Sequence, residues 1–245
     1  MMHPVPITLA SAVLLALVHI FAGQLRFLAG IPRSRWLSFA GGVSVTYVFL
    51  HILPELGAGQ EAFSKERGKV LEALVHHVYL LALAGLVVFY GLERMVVKDR
   101  ARRETREETT GPRVFWVHVA AYSFYNAVIG YLLVHPKEPG GMALLWYVVA
   151  IGLHLVVNDF SLWAHHKHRY RLVGRWVMAG AVLVGWLIGM LTEVSETVVV
   201  ALFAFVAGGI VLNVLKEELP EERQSRFGAF ALGTTLYAAL FVAFA

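Results

Sequence analysis

Two short polar runs interrupt apolar stretches of this chain: Tyr122-Ser123-Phe124-Tyr125-Asn126 and Asn158-Asp159-Phe160-Ser161. Asp159 is an ionisable side chain among residues that suit hydrocarbon. Burying such a group is costly, so it must meet a partner, a water-filled path or an ion. Asn126, Asn158 and Ser123 add neutral oxygen donors, which suit hard divalent cations such as magnesium, manganese or calcium with retained water. One carboxylate with amide and hydroxyl oxygens is a poor zinc cage, because zinc takes three or four nitrogen, sulfur or carboxylate ligands. A single carboxylate does not neutralise a dry divalent ion, so tight binding is not expected. The same residues also suit a structural network, with Asp159 protonated or hydrogen-bonded to Tyr122, Asn126 or Asn158. Both readings stay open.

Histidines supply further candidate ligands. His51 and Glu55 are four residues apart, and His76-His77 follow near the start of the next apolar run. Together they are a candidate metal-collecting entrance, since imidazole with carboxylate suits zinc-like ions. His165-His166-Lys167-His168 closes a later run, within reach of His118, as a candidate exit. Each group also has a plainer use, as interfacial side chains that snorkel or as a basic helix end. His19 and His154 stand alone in apolar runs and read as packing residues rather than ligands. The chain has no cysteine, so disulfides, thiolate metal sites and cysteine nucleophiles are excluded. It has neither a phosphate-cradling glycine loop nor the spaced histidine boxes of a membrane hydroxylase. The chain is not expected to be an enzyme.

The elements that must position these residues are membrane helices. The 245 residues are 58% hydrophobic and 16% charged, with mean hydropathy +0.65. Soluble domains carry about a quarter charged residues. Stretches long enough to cross a bilayer are expected at 5–28, 36–56, 70–97, 114–134, 142–164, 172–191, 195–215 and 227–245. They predict an all-α polytopic fold, with 1–245 as a single transmembrane domain of eight spans. The first run reads as a retained span and uncleaved signal. The one long charged connection, about 98–113, reads as a solvated linker without histidine. Of 21 Lys and Arg residues, 17 fall in the connections after odd-numbered spans or at the span ends that border them. The positive-inside bias then puts those connections in the cytoplasm and both termini outside, in the inner membrane if the chain is bacterial. The net charge of +4 lies beside the spans and does not imply nucleic-acid binding. The partner is the lipid bilayer. If the helix carrying Asp159 ends near Ala164, that residue sits on the order of 8 Å from the interface at 1.5 Å per residue.

A weak internal repeat is also present. Gly41-Gly42 precedes Ile52-Leu53-Pro54-Glu55 in the second span, and Gly208-Gly209 precedes Glu218-Leu219-Pro220-Glu221 in the seventh. Ser123-Phe124 and Asp159-Phe160 match across the fourth and fifth. Antiparallel matches of this kind mark inverted-topology transporters, whose site lies near the midplane.

In these motifs, in its eight spans and in its charge plan, the chain resembles the ZIP family of divalent-metal transporters. The second-span and seventh-span stretches are similar to the family's signatures there. Its fourth-span and fifth-span metal motifs are replaced: Tyr122, Asn126 and Leu162 stand where strong histidine and glutamate ligands are usual. The resemblance implies Asp159 as principal ligand, supported by Asn158, Asn126 and Ser123. It implies transport of a divalent cation (zinc, manganese or similar) toward the cytoplasm by alternating access, with a bundle holding the fourth and fifth spans moving. The cation is cargo, and no resident cofactor is expected. A homodimer is compatible with this reading. A non-transporting relative with a structural or interaction role, or a carrier of a different small solute, satisfies the same residues.

Overall fold

The structure is a computed structural model that describes residues 5–22, 34–64, 77–102, 110–135, 141–218 and 226–244. Among these it is all-helical. The helices are α1 (Val5–Ala22), α2 (Arg35–Tyr47), α3 (Leu53–Ser64), α4 (Val78–Ala101), α5 (Pro112–Val134), α6 (Gly141–Arg169), α7 (Arg175–Leu191), α8 (Glu196–Glu218) and α9 (Phe227–Phe244). π-Helical turns join α2 to α3 at Val48–Ile52 and α6 to α7 at Tyr170–Gly174. His76, the Leu219-Pro220-Glu221 motif and residues 103–109 of the 98–113 connection lie outside the described residues.

Local chemistry explains several boundaries. Ser34 caps α2, its Oγ accepting from the Leu37 N–H at 3.2 Å. Pro112 opens α5 at a position where its missing N–H leaves nothing unpaired. Pro54 lacks the N–H that would bond the Leu50 carbonyl, and its ring crowds that oxygen. The helix widens there instead of stopping: the Leu53 N–H donates to Val48, five residues back.

Among the described residues, six helical runs are long and apolar enough to cross a bilayer, and Phe227–Ala243 is an apolar but shorter helix. Large apolar side chains on them, including Leu14, Val87 and Val184, are more than half exposed. Such a surface suits acyl chains better than water. One run, Leu144–Leu191, has 48 residues, about twice what one crossing needs. The sequence places a connection near 165–171, but no proline lies between 142 and 191 to end the helix. Helical turns continue through the region, and the break is confined to Lys167 (φ 39, ψ −105).

The chain divides into two compact units. One comprises Met1–Arg26 and Gly91–Glu193, hence α1, the end of α4, α5, α6 and α7. The other comprises Phe27–Tyr90 and Val194–Ala245, hence α2, α3, the start of α4, α8 and α9. Glycines bring paired helices together within each. In the first, a Cβ on Gly130 would strike the Val182 carbonyl oxygen of α7, and one on Gly185 the Ala127 carbonyl oxygen of α5. In the second, Gly42 lies against the Phe230 carbonyl and Gly233 against Phe39; likewise Gly85 lies against Phe205 and Gly208 against Ala82. Every pair is reciprocal. Small residues that admit a neighbour's backbone are how helices associate in lipid, where burial of apolar surface drives nothing.

These contacts have a measurable consequence. Gly185→Ala and Gly208→Ala must push their helices apart, and each is expected to cost about 1–3 kcal/mol. Gly91→Ala and Gly180→Ala, with nothing within 4 Å of the added carbon, are expected to be neutral or slightly stabilising through helix propensity. Thermal melts in detergent separate the two pairs; equal effects at all four positions contradict the packing.

Candidate functional site

Asp159 on α6 is fully buried, and its partner is His19 on α1. His19 Nδ1 lies 2.9 and 2.8 Å from the two carboxylate oxygens. The other ring nitrogen, Nε2, lies 2.9 Å from Asn126 Oδ1 on α5. Asn126 Nδ2 in turn donates to the Tyr122 carbonyl at 2.8 Å and reaches Met178 Sδ on α7 at 3.5 Å. Four helices of one unit therefore meet on three polar side chains. Around them, Tyr122, Met178 and Tyr170 are themselves almost wholly buried.

The network fixes where its hydrogens lie. A carbonyl only accepts, so the Asn126 amide nitrogen faces Tyr122 and its oxygen faces the imidazole. Nε2 must then carry a hydrogen. One more hydrogen lies between Nδ1 and the carboxylate, and wherever it sits along that contact the pair is net neutral. This is how an apolar bundle accommodates the acid. The Tyr170 hydroxyl is buried beside the same carboxylate. Gly174 makes room for it: a Cβ there would come within 2.6 Å of the Tyr170 ring. The helix also runs farther than the sequence suggests. α6 continues past Ala164 to the break at Lys167, about 12 Å beyond Asp159 at 1.5 Å per residue.

The other expected residues fall in three places. Asn158 and Ser123 stay outside the hydrogen-bonded network: Asn158 Nδ2 and Ser123 Oγ are buried atoms with no hydrogen-bond partner among the described residues. The expected exit splits. His166 Nε2 and His118 Nδ1 are 3.3 Å apart, His118 Nε2 donates to the Leu92 carbonyl at 2.9 Å, and the Thr110 hydroxyl meets His166 Nδ1 at 2.5 Å. His165 turns instead to Glu93 at 3.8 Å and Ser161 at 3.4 Å. At the expected entrance, His51 packs among the rings of Tyr47, Tyr237 and Phe241. Glu55 is half-buried on the next turn, and exposed His77 offers its carbonyl to the N–H groups of Leu80 and Leu81 in the first turn of α4. Among the described residues, no three His, Asp or Glu side chains gather as a metal site.

His19 is the residue that sequence reasoning missed. It is not a lone packing residue. The one available signal was complementarity: Asp159 required a partner, and few ionisable groups lie within the apolar runs. His154 is also partnered, with its Nε2 2.9 Å from the Tyr125 hydroxyl.

Comparison of the chain with known family models and with curated proteins gave no match. The site's own chemistry therefore carries the functional argument.

Removing one member of the pair strands the other. His19→Ala and Asp159→Ala are each expected to cost about 3–5 kcal/mol, as for a buried charge left alone. The double variant His19→Ala/Asp159→Ala should lose far less than the sum of the single losses. Additive losses in a melting-temperature cycle would show that the two side chains do not interact.

Proposed function

We propose that the chain is a ZIP-like membrane transporter that moves a divalent cation toward the cytoplasm by alternating access. Counting Leu144–Leu191 as two crossings and α9 as one gives the expected eight. The reciprocal glycine contacts support an inverted repeat. Gly42 and Gly208 play matching parts in the α2–α9 and α8–α4 pairs, at the sequence offset that also aligns Pro54 with Pro220. The two compact units support a two-body reading, with His19 and Asp159 both in the unit that holds the fourth and fifth expected spans.

The observation that carries the reading is the buried contact between His19 and Asp159. It replaces an oxygen-only donor set with imidazole and carboxylate, which suit zinc and similar ions. A cation bound there takes His19 Nδ1 and the Asp159 carboxylate and displaces the hydrogen they share. Asn126 keeps the Nε2 hydrogen and aims the ring, the usual task of a group behind a metal-bound histidine. Asn158 and Ser123 supply nearby polar atoms, and water completes the coordination. Two strong ligands bind weakly enough for release, which carriage demands. His118 with His166 is the exit of this reading, and His51, Glu55, His76 and His77 the entrance.

One observation favours a second reading, that of a non-transporting relative. Every hydrogen-bonding atom of the His19 ring is already occupied, and no third His, Asp or Glu joins the pair among the described residues. In that case the network locks the bundle and nothing moves.

Two measurements decide between them. Zinc or manganese at a hundredfold excess over its dissociation constant should stabilise the transporter by about 2.7 kcal/mol; no shift with any divalent ion supports the locked relative. In proteoliposomes, Asn126→Ala should reduce cation uptake roughly tenfold or more, as loss of an orienting partner does. Asp159→Asn should abolish uptake. Uptake that survives Asp159→Asn refutes the site.

A further inference from the structure

The geometry points to a binding site for an anionic phospholipid in the groove between α2 and α9. Arg35, Trp36 and Phe39 of α2 face Arg226, Gly228 and Leu232 of the α9 end across a cavity of about 670 Å³. The site lies wholly within one unit. It is independent of the transport reading.

Charge and shape agree on the occupant. Two guanidinium-bearing residues stand at one end of the groove, each at the start of a helix. Neither helix has an acidic residue in its first turn, so both N-terminal dipoles reinforce the positive field. The Arg226 N–H donates to Ser38 Oγ at 3.1 Å, which fixes one rim against the other. Below the arginines the walls are apolar and uncovered: Trp36 is 68% exposed and Leu232 61%. Gly228 leaves the floor open, with nothing within 4 Å of where a Cβ would project. Farther along, Gly42 and Gly233 close the helices onto each other, so the groove ends blind.

A cationic mouth above an apolar trough fits an amphiphile better than a soluble anion. The phosphate pairs with Arg35 and Arg226, because guanidinium groups bind phosphate oxygens through paired N–H donors. An acyl chain lies along Phe39, Gly228 and Leu232. By the charge bias this end faces the cytoplasm, where basic clefts between membrane helices take anionic headgroups.

The test uses the full chain in neutral detergent, with melting temperature and lipid retention in native mass spectrometry as readouts. Phosphatidylglycerol should raise the melting temperature and stay bound, whereas phosphatidylcholine should do neither. Arg35→Gln/Arg226→Gln should lose that difference. Gly228→Leu, which fills the groove without touching a charge, should lose retention while melting normally without lipid; it carries the test if the double variant fails to fold. Equal response to both lipids, or retention unchanged in Gly228→Leu, overturns the proposal. A shift of equal size from inorganic phosphate alone also overturns it, since the ligand would then be a free anion.

Discussion

A carboxylate sealed among apolar helices is the constraint around which one half of this molecule is arranged. Asp159 can stay buried only because His19 meets both of its oxygens, and His19 can serve only because Asn126 holds its far nitrogen. Asn126 is itself turned by the Tyr122 carbonyl. The chain of requirements ties α1, α5 and α6 together in a register that packing of Leu and Val alone would not specify. Gly174 extends it, since only a residue without a side chain lets the Tyr170 ring lie over that turn. Buried polar networks fix geometry when every member is satisfied and weaken the fold when one is not.

The rest of that unit follows the same economy. Side chains near helix ends hydrogen-bond backbone carbonyls that lipid cannot satisfy: Arg100 reaches Ala164, Arg175 reaches Ile20, and His135 reaches Gly189. Asp99 accepts from the Gly111 N–H at 2.6 Å, and Arg169 donates to the Thr110 carbonyl at 3.2 Å. These bonds hold the entry to α5 against the ends of α4 and α6. Apolar faces carry none of this specificity. Reciprocal glycine contacts supply the close approach, and half-exposed Leu, Val and Phe side chains face outward.

Much of the helical plan is legible in the sequence, because runs of apolar residues can only be buried or membrane-spanning. The α6–α7 connection is less so. Basic residues at 165–171 mark an interface, but the same residues are adequate helix formers with no proline among them, and the helix runs on to Lys167. At the site, Asp159 and Asn126 stand out because each is polar inside an apolar run. His19 does not. It lies 140 residues from Asp159, so no local spacing links them, and the family resemblance directs attention to the fourth and fifth spans. The pairing of His118 with His166 was readable as proximity, whereas the turn of His165 toward Glu93 depends on helix rotation that periodicity leaves open.

The measurement closest to the central claim is proton release on adding zinc to the purified protein in weakly buffered detergent. One hydrogen lies between His19 and Asp159, so a cation that takes its place should liberate about one proton per ion bound, and none when either residue is replaced by alanine. Saturable zinc binding without release, or release unchanged in His19→Ala, would mean that the ion binds elsewhere and that the buried pair only holds the helices together.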